Sequence, residues 1–595
     1  MVVGSTESTA AVDRPGRCSC SLAAVRTLSG SFLSFSVAAL SAAALLGACG
    51  SLESPNAPHT ASGGSGGTGG TGGSGGSGGS SSEITWSACP DDYLDECASV
   101  EMPINWLKPE GEKIPVLAAR KLAKSGAGKR QLWLLQGGPG GSGNVFKGFV
   151  EAYADAMPDV DFYVLEHRGV GESTRLGCPE QESPSSAEGA NIAASEWPAC
   201  IEALKSTWGE RLSAFTTSND AQDLQRFIEL TREADKKVFI FGASYGTTRA
   251  LRFLQWFPES ADGVILDSVV SPGVQFLSRF DEQYDPVGIK ISEMCAEDEV
   301  CGQKLGDDPW VRVINLKAQL AAGHCAGLGL TDDVLSSLLP AFIQLRVLRA
   351  HLFPIVYRVE RCAEEDLPVL AHYFGALNQI FAGESGPMRD SKALQTHVAL
   401  SEMWEEPAPT AAELEARCDA RTACPGFGPS LGPLYDIWPR YQTDLYANKW
   451  PQTNVPVLAM NGTLDPQTPI ETAVATANHL TAPHQTFVTV PYSPHGVFVE
   501  SPVKTPGALP CGLQMMNGFL ENPEAEIDQS CLEDLVPVSF TLAEEEADFF
   551  FGTQDIWENT PAALAGGASQ APAAKPDWKA LEAAARRATR RIGQP

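Results

Sequence analysis

Between the apolar run Val238 to Phe241 and a helical pattern from Thr247 to Phe257, which ends at Pro258, lies the pentapeptide Gly242-Ala243-Ser244-Tyr245-Gly246. Few features constrain a chain more. A strand that becomes a helix across one residue strains that residue and lifts its side chain off the end of a sheet. Small residues must flank it, because the two backbones crowd together there. The glycine-x-serine-x-glycine pattern alone is weak: Gly63-Gly64-Ser65-Gly66-Gly67 also satisfies it. Only the copy at Ser244 has a strand before it and a helix after it.

The surrounding pattern is that of an α/β protein. Gln131 to Leu135, Asp161 to Leu165, Val238 to Phe241, Val264 to Leu266, Val457 to Met460 and Thr486 to Val490 are short apolar runs stopped by turn residues, and they read as buried strands. Ser218 or Asn219 is placed to cap a helix carrying Leu224, Phe227 and Ile228 on one face. Strands alternating with helices predict a mostly parallel sheet with helices on both faces. From Ser271 to Pro439 the alternation stops and helical periodicity takes over, as in Val334 to Leu348 and Leu367 to Phe381. A helical block between strands predicts a cap over the carboxyl ends of the sheet. The expected organisation is therefore a core over 84–270, a helical cap over 271–439, a second part of the core over 440–540 and an Ala/Pro-rich tail over 541–595. The tail's last stretch, Trp578 to Arg591, could form a basic helix and reads as solvated.

The first 49 residues read as an export signal. Arg14, Arg17 and Arg26 precede an apolar stretch from Phe32 to Leu46, short of the roughly 20 residues a membrane span needs. It ends in Leu46-Gly47-Ala48-Cys49, which resembles a bacterial lipobox, with Cys49 as the lipidated residue. Residues 50–83 then read as a tether: Gly63 to Ser82 is almost purely Gly, Ser and Thr, a flexible segment with an end-to-end distance of ~25 Å. Outside the leader stand Cys89, Cys97, Cys178, Cys200, Cys295, Cys301, Cys325, Cys362, Cys418, Cys424, Cys511 and Cys531. An even number in an exported chain implies disulfides, and sequence neighbours fall into six local pairs, although spacing does not fix connectivity. Zinc, the competing use of these thiols, finds no C-x-x-C pair and no histidine cluster. A net charge of −30 argues against nucleic acid as a partner, since phosphates would be repelled.

A serine hydroxyl needs a base before it can attack. His495, in Pro491-Tyr492-Ser493-Pro494-His495-Gly496, follows the last apolar run in a loop able to reach the serine turn. His167 is its rival. His324, His351, His372 and His397 fall in the cap, and His479 and His484 follow an apparent helix. An imidazole base needs a carboxylate to fix its tautomer. Asp465, directly after a strand in Asn461-Gly462-Thr463-Leu464-Asp465-Pro466, is preferred, with Asp267 as the alternative. Charge developing on a substrate oxygen needs N–H donors. The loop Gln136-Gly137-Gly138-Pro139-Gly140-Gly141-Ser142-Gly143 can supply one from Gly138 or Gly140, since Pro139 has none, and Tyr245 the other. No G-x-x-x-x-G-K-[ST] phosphate loop occurs, and no metal or cofactor is called for.

Four segments carry a resemblance: Gly137-Gly138-Pro139-Gly140-Gly141-Ser142-Gly143, Arg168-Gly169-Val170-Gly171-Glu172-Ser173, Gly242-Ala243-Ser244-Tyr245-Gly246-Thr247, and Asp465-Pro466-Gln467-Thr468-Pro469 with His495. In that order they resemble the α/β-hydrolase peptidases of the proline iminopeptidase and tripeptidyl aminopeptidase group, over residues 130 to 500. The resemblance implies an α/β-hydrolase fold and an exopeptidase that releases tripeptides, other short peptides or single residues from free amino termini. It implies Ser244 as nucleophile, His495 as base and Asp465 as its orienter. It further implies a carboxylate for the substrate's amino group, and Glu402 is the candidate. Gln136 stands where the iminopeptidases often have histidine, which favours the tripeptidyl branch, and Glu166-His167 replaces a usual Asp-Gln pair. The expected protein is lipid-anchored at the periplasmic or outer-membrane side. An esterase or lipase on the same fold and a non-catalytic binding lipoprotein are the alternatives.

Overall fold

The structure, a computed structural model, describes residues 84–90, 93–183, 185–187, 191–382, 389–559 and 576–581. The leader, Cys49 and the Gly/Ser tether lie outside the described residues.

One nine-stranded sheet organises the core, in the order β1-β2-β3-β5-β4-β6-β7-β8-β9. Strands β1 (Ser87–Ala88), β2 (Glu96–Pro103) and β3 (Lys113–Lys121) form an antiparallel edge, and β3 runs antiparallel to β5 (Val160–Leu165). From β5 onward every pairing is parallel, through β4 (Arg130–Leu135), β6 (Lys237–Ala243), β7 (Gly263–Asp267), β8 (Val457–Gly462) and β9 (Gln485–Val490). The six expected strands all form, each within two residues of its expected ends. The central strands are buried along their length, which is why they read as continuous apolar runs rather than alternating ones. Side chains from opposite faces of the sheet enter two separate apolar cores, one holding Leu132, Phe241 and Phe498, the other Trp133, Ile240 and Leu254.

The helix before β6 spans Thr217–Thr231, and its cap is Thr216, whose side chain accepts from Asn219 N–H. This corrects the expected Ser218 or Asn219 cap. The Asn219 side chain is engaged elsewhere, accepting from Trp106 N–H at 3.2 Å and donating to the Ala214 carbonyl at 2.8 Å.

Between β7 and β8 the chain forms the cap, with helices that include Tyr284–Glu297, Asp332–Gln344, Arg346–Arg361, Asp366–Ala382 and Lys392–Glu402. These share one apolar core with residues beyond 539. Phe540, Phe550, Phe551, Ile556, Trp557 and Leu581 are buried in it, and Glu544–Phe551 is a helix. The expected tail is thus corrected for its first part: residues through 559 are a layer of the cap. Arg358 holds them there through the carbonyls of Asp555, Ile556 and Glu558. The low-complexity Ala/Pro stretch and residues 582–595 lie outside the described residues. Six disulfides join the expected neighbours, Cys89–Cys97, Cys178–Cys200, Cys295–Cys301, Cys325–Cys362, Cys418–Cys424 and Cys511–Cys531. Among the described residues no helix is long and apolar enough to cross a membrane.

Candidate active site

Ser244 occupies the single residue between β6 and the helix Tyr245–Trp256, at φ 57° and ψ −126°. Positive φ on a non-glycine residue stores strain of ~1–3 kcal/mol, and the packing around it must hold it there. The flanking glycines explain how. A Cβ on Gly242 would lie 2.3 Å from the Gly246 carbonyl, and one on Gly246 would lie 2.0 Å from the Leu135 carbonyl. No other residue fits either place.

Four neighbouring parallel strands deliver the rest. Ser244 follows β6, Asp267 ends β7, Asp465 lies three positions past β8 and His495 five past β9. Parallel pairing puts all four at the carboxyl end of the sheet, where open α/β sheets build their sites. His495 Nδ1 lies 2.8 Å from Asp465 Oδ2. The same oxygen accepts from Thr468 Oγ1 at 2.6 Å, and Asp465 Oδ1 accepts from the N–H groups of Gln467 and Thr468 at 2.8 and 3.0 Å. Burial alone would raise the Asp465 pKa. The charge of His495 and these hydrogen bonds outweigh it and hold the carboxyl below its ordinary value.

Asp267, the alternative acid, has a different position and task. Its backbone carbonyl accepts from Ser244 N–H at 2.9 Å, while its carboxylate accepts from Val497 N–H at 2.9 Å and Phe498 N–H at 2.7 Å. One residue thus anchors both the serine turn and the His495 loop. Burial pushes Asp267 up to about 6 despite hydrogen bonds from Ser268, Phe498 and Val497. Ser244 and His495 are brought to the same end of the sheet and tied through Asp267. Among the described residues no hydrogen bond joins their side chains, and the buried His495 Nε2 has no hydrogen-bond partner.

The glycine loop after β4 presses on the serine turn. A Cβ on Gly137 would sit 2.7 Å from Ser244 Cβ and 3.1 Å from Tyr245 N. Tyr245 is the first residue of its helix, so its N–H has no intrahelical partner. Gly138 N–H makes no hydrogen bond among the described residues. The loop is pinned from below by Glu166, whose Oε1 accepts from Ser142 Oγ at 2.7 Å and Asn144 N–H at 3.1 Å. From above, cap residue Asp390 accepts Ser142 N–H at 2.9 Å and Ser391 N–H donates to the Gly140 carbonyl at 2.8 Å.

Burial pushes Glu166 up to about 7, against the lowering by Ser142 and Asn144, and its Oε2 has no hydrogen-bond partner among the described residues. A folded-state pKa above the ordinary 4.5 means that the folded chain holds this proton more tightly than the unfolded one. Glu166 therefore contributes most below pH 4.5, and that contribution is lost as pH rises through about 7. Glu166→Gln keeps the Oε1 acceptor and cannot ionise. Relative to wild type its thermal stability should improve between pH 5 and pH 8, by at most roughly 3 kcal/mol. Melts of both proteins across that range test this, and a constant difference between them would contradict it.

His167, the rival base, faces Asp220 at 3.9 Å rather than Asp465, and burial drives it down to about 4. Its neighbour Arg168 is structural. The guanidinium meets both Asp223 oxygens at 2.7 Å and the carbonyls of Pro103, Ile104 and Ala214. The Glu402 carboxylate accepts from Arg252 Nη2 at 3.0 Å, Tyr441 OH at 2.6 Å and Thr217 N–H at 3.1 Å, an internal ion pair within hydrogen bonds. Thr468 was not singled out in the sequence and was visible there only as part of the Asp465-to-Pro469 segment. Among the described residues no group of three or more His, Cys, Asp or Glu is placed to hold a metal ion.

A family model described as "alpha/beta hydrolase fold" matches residues 132–286, the segment holding β4 to β7 and the serine turn. The fold is that of the α/β-hydrolases. A second model, described as "TAP-like protein", matches residues 435–531, which hold Asp465 and His495. Curated tripeptidyl aminopeptidases from Streptomyces coelicolor and Streptomyces lividans are each 30% identical over 217 residues. Those alignments take in 32% of this chain and 38% of each relative's length. A solved proline iminopeptidase from Mycobacterium smegmatis is 12% identical over 72% of this chain and 98% of its own, at a TM-score of 0.30.

Proposed function

We propose that this α/β-hydrolase is a serine exopeptidase that releases tripeptides, other short peptides or single residues from free amino termini. The observation that supports it most is the buried Asp465–His495 pair, with Nε2 left unpartnered, at the sheet end where the strained Ser244 sits. Asp465 holds the proton on Nδ1, which leaves Nε2 as the acceptor. On substrate binding Nε2 takes the proton of Ser244 as its oxygen attacks the scissile carbonyl. Hydrogen bonds of this kind are often open before substrate arrives. The N–H groups of Gly138 and Tyr245 stabilise the resulting oxyanion. His495 then passes its proton to the leaving amine, and water hydrolyses the acyl-enzyme by the same route in reverse.

The peptide substrate is supported by the tripeptidyl aminopeptidase relatives and the "TAP-like protein" match. Six disulfides suit an oxidising compartment outside the cytoplasm, and attachment through a lipidated Cys49 completes that reading. The test compares a tripeptide anilide with a free amine, its N-acetylated form and a p-nitrophenyl ester. The free-amine peptide should turn over and the acetylated form should not. Turnover of the ester alone would make the protein an esterase. No turnover, with no labelling of Ser244 by a fluorophosphonate, would make it a binding protein.

A further inference from the structure

Arg349 lies in the cap helix Arg346–Arg361 and is 1% exposed. Among the described residues it forms no ion pair. Instead its guanidinium donates to three backbone carbonyls. Nε reaches Ile343 at 2.9 Å, Nη2 reaches Leu464 at 2.6 Å and Nη1 reaches Tyr492 at 3.1 Å. Burying a cation without a carboxylate against it is costly, and burial does pull this guanidinium down, to about 9. The position of the two distant carbonyls gives the arrangement a purpose. Leu464 directly precedes Asp465, and Tyr492 lies three residues before His495.

We propose that Arg349 is a positioning residue, through which the cap holds the Asp465 loop and the His495 loop at the spacing their hydrogen bond requires. The inference rests on the catalytic reading above. Besides the Asp465–His495 bond, the loops are joined by Thr463 N–H to the Val490 carbonyl at 3.0 Å, Leu464 N–H to the Ser493 carbonyl at 3.1 Å and Tyr492 N–H to Thr463 Oγ1 at 3.0 Å, and Thr468 Oγ1 lies 3.3 Å from His495 Nδ1. A planar fork of fixed geometry can span two carbonyls that a lysine ammonium on a flexible stem cannot hold together. The same helix grips the His495 loop a second time. Arg346 Nε lies 2.7 Å from Glu500 Oε2, and the Glu500 carbonyl accepts from Ser493 Oγ at 3.0 Å. Catalytic alignment is thereby made to depend on a seated cap.

Arg358 supplies the control. It lies on the same helix and is as deeply buried, and among the described residues it hydrogen-bonds to Asp366 and residues 555–559 and lies over the Phe551 ring, away from the Asp465 and His495 loops. Two readouts are taken on Arg349→Met, Arg349→Lys and Arg358→Met: steady-state kinetics on the free-amine tripeptide anilide, and the low-field proton resonance of the His495 Nδ1–H bonded to Asp465, assigned with Asp465→Asn. Arg349→Met should lose ~10–100-fold in kcat, the size of effect expected of an ångström-scale misplacement, with KM changed less than about threefold. Its resonance should shift or vanish. Arg349→Lys should fall between it and wild type, and it decides the matter if the methionine variant does not fold. Arg358→Met should melt earlier yet keep both kcat and the resonance. Equal losses in Arg349→Met and Arg358→Met, or an unmoved resonance in both Arg349 variants, would overturn the proposal. If the wild-type protein hydrolyses none of the substrates, the functional reading fails by itself, and the resonance still decides whether Arg349 holds the pair. A wild-type protein without that resonance overturns the positioning role.

Discussion

Ser244→Ala and His495→Ala are each expected to lower kcat by on the order of 10⁶, and the double variant by no more than either single one. The reasoning lies in the division of labour at the carboxyl end of the sheet. Ser244 Oγ is held at φ 57° in a turn with no other use, and it attacks only when a base receives its proton. His495 Nε2, buried and without a partner among the described residues, has no function without that hydroxyl. Removing one therefore removes the work of the other, and their effects cannot add. What remains should come from substrate binding and from the N–H groups of Gly138 and Tyr245, which neither substitution touches. Ser244→Ala should keep the wild-type melting temperature within a few degrees, because its hydroxyl supports no other part of the described fold, whereas His495→Ala should melt somewhat earlier, since it strips the buried Asp465 carboxylate of its partner. Ser244→Ala should also abolish fluorophosphonate labelling, whereas His495→Ala should slow it. A double variant far weaker than both singles would show that the two residues act independently and would break the triad reading.

The parts of this chain legible from sequence were those in which one physical requirement dominates. Central parallel strands are buried on both faces, so β4, β6, β7 and β8 stood out as short apolar runs with ends correct to within two residues. The serine turn was legible because two backbones approach within ångströms there, which only glycine at 242 and 246 permits. The six disulfides join cysteines that are near neighbours in sequence, a pairing that spacing suggested without fixing. The antiparallel edge was not foreseen. Strands β2 and β3 mix Glu96, Ser99 and Glu101 with small apolar residues, and their half-exposed faces blur the apolar signal. The cap's outer layer was also missed. Residues beyond 541 carry acidic and Ala/Pro-rich stretches that read as solvent-facing, yet Phe550, Phe551 and Trp557 complete a core whose other half lies some two hundred positions earlier. No periodicity within a segment reports a partner so remote. Nor could the sequence show that Arg252, 150 positions away, pairs with Glu402.

Asp465, the preferred acid, and Asp267, the alternative, should separate cleanly by mutation. Asp465→Asn is expected to lower kcat by ~10⁴ while leaving the fold intact. Its Oδ1 can go on accepting from Gln467 and Thr468 N–H, so the loop stays in place. The new amide at the Oδ2 position, however, donates towards His495 Nδ1. That selects the tautomer with its proton on Nε2, which cannot accept the proton of Ser244. Asp267→Asn should show the reverse balance. Its carboxylate meets only donors, Val497 N–H, Phe498 N–H and Ser268 Oγ, so an amide there leaves a buried N–H facing another N–H. Such a mismatch costs about 1–3 kcal/mol of stability. The catalytic loss should follow only from loosened tethering of the His495 loop, well short of that in Asp465→Asn. Melting curves and kcat for the two variants, measured side by side on the same free-amine peptide, settle the assignment. If Asp267→Asn proves the catalytically ruinous change and Asp465→Asn the merely destabilising one, the roles drawn from the 2.8 Å contact between His495 and Asp465 must be exchanged.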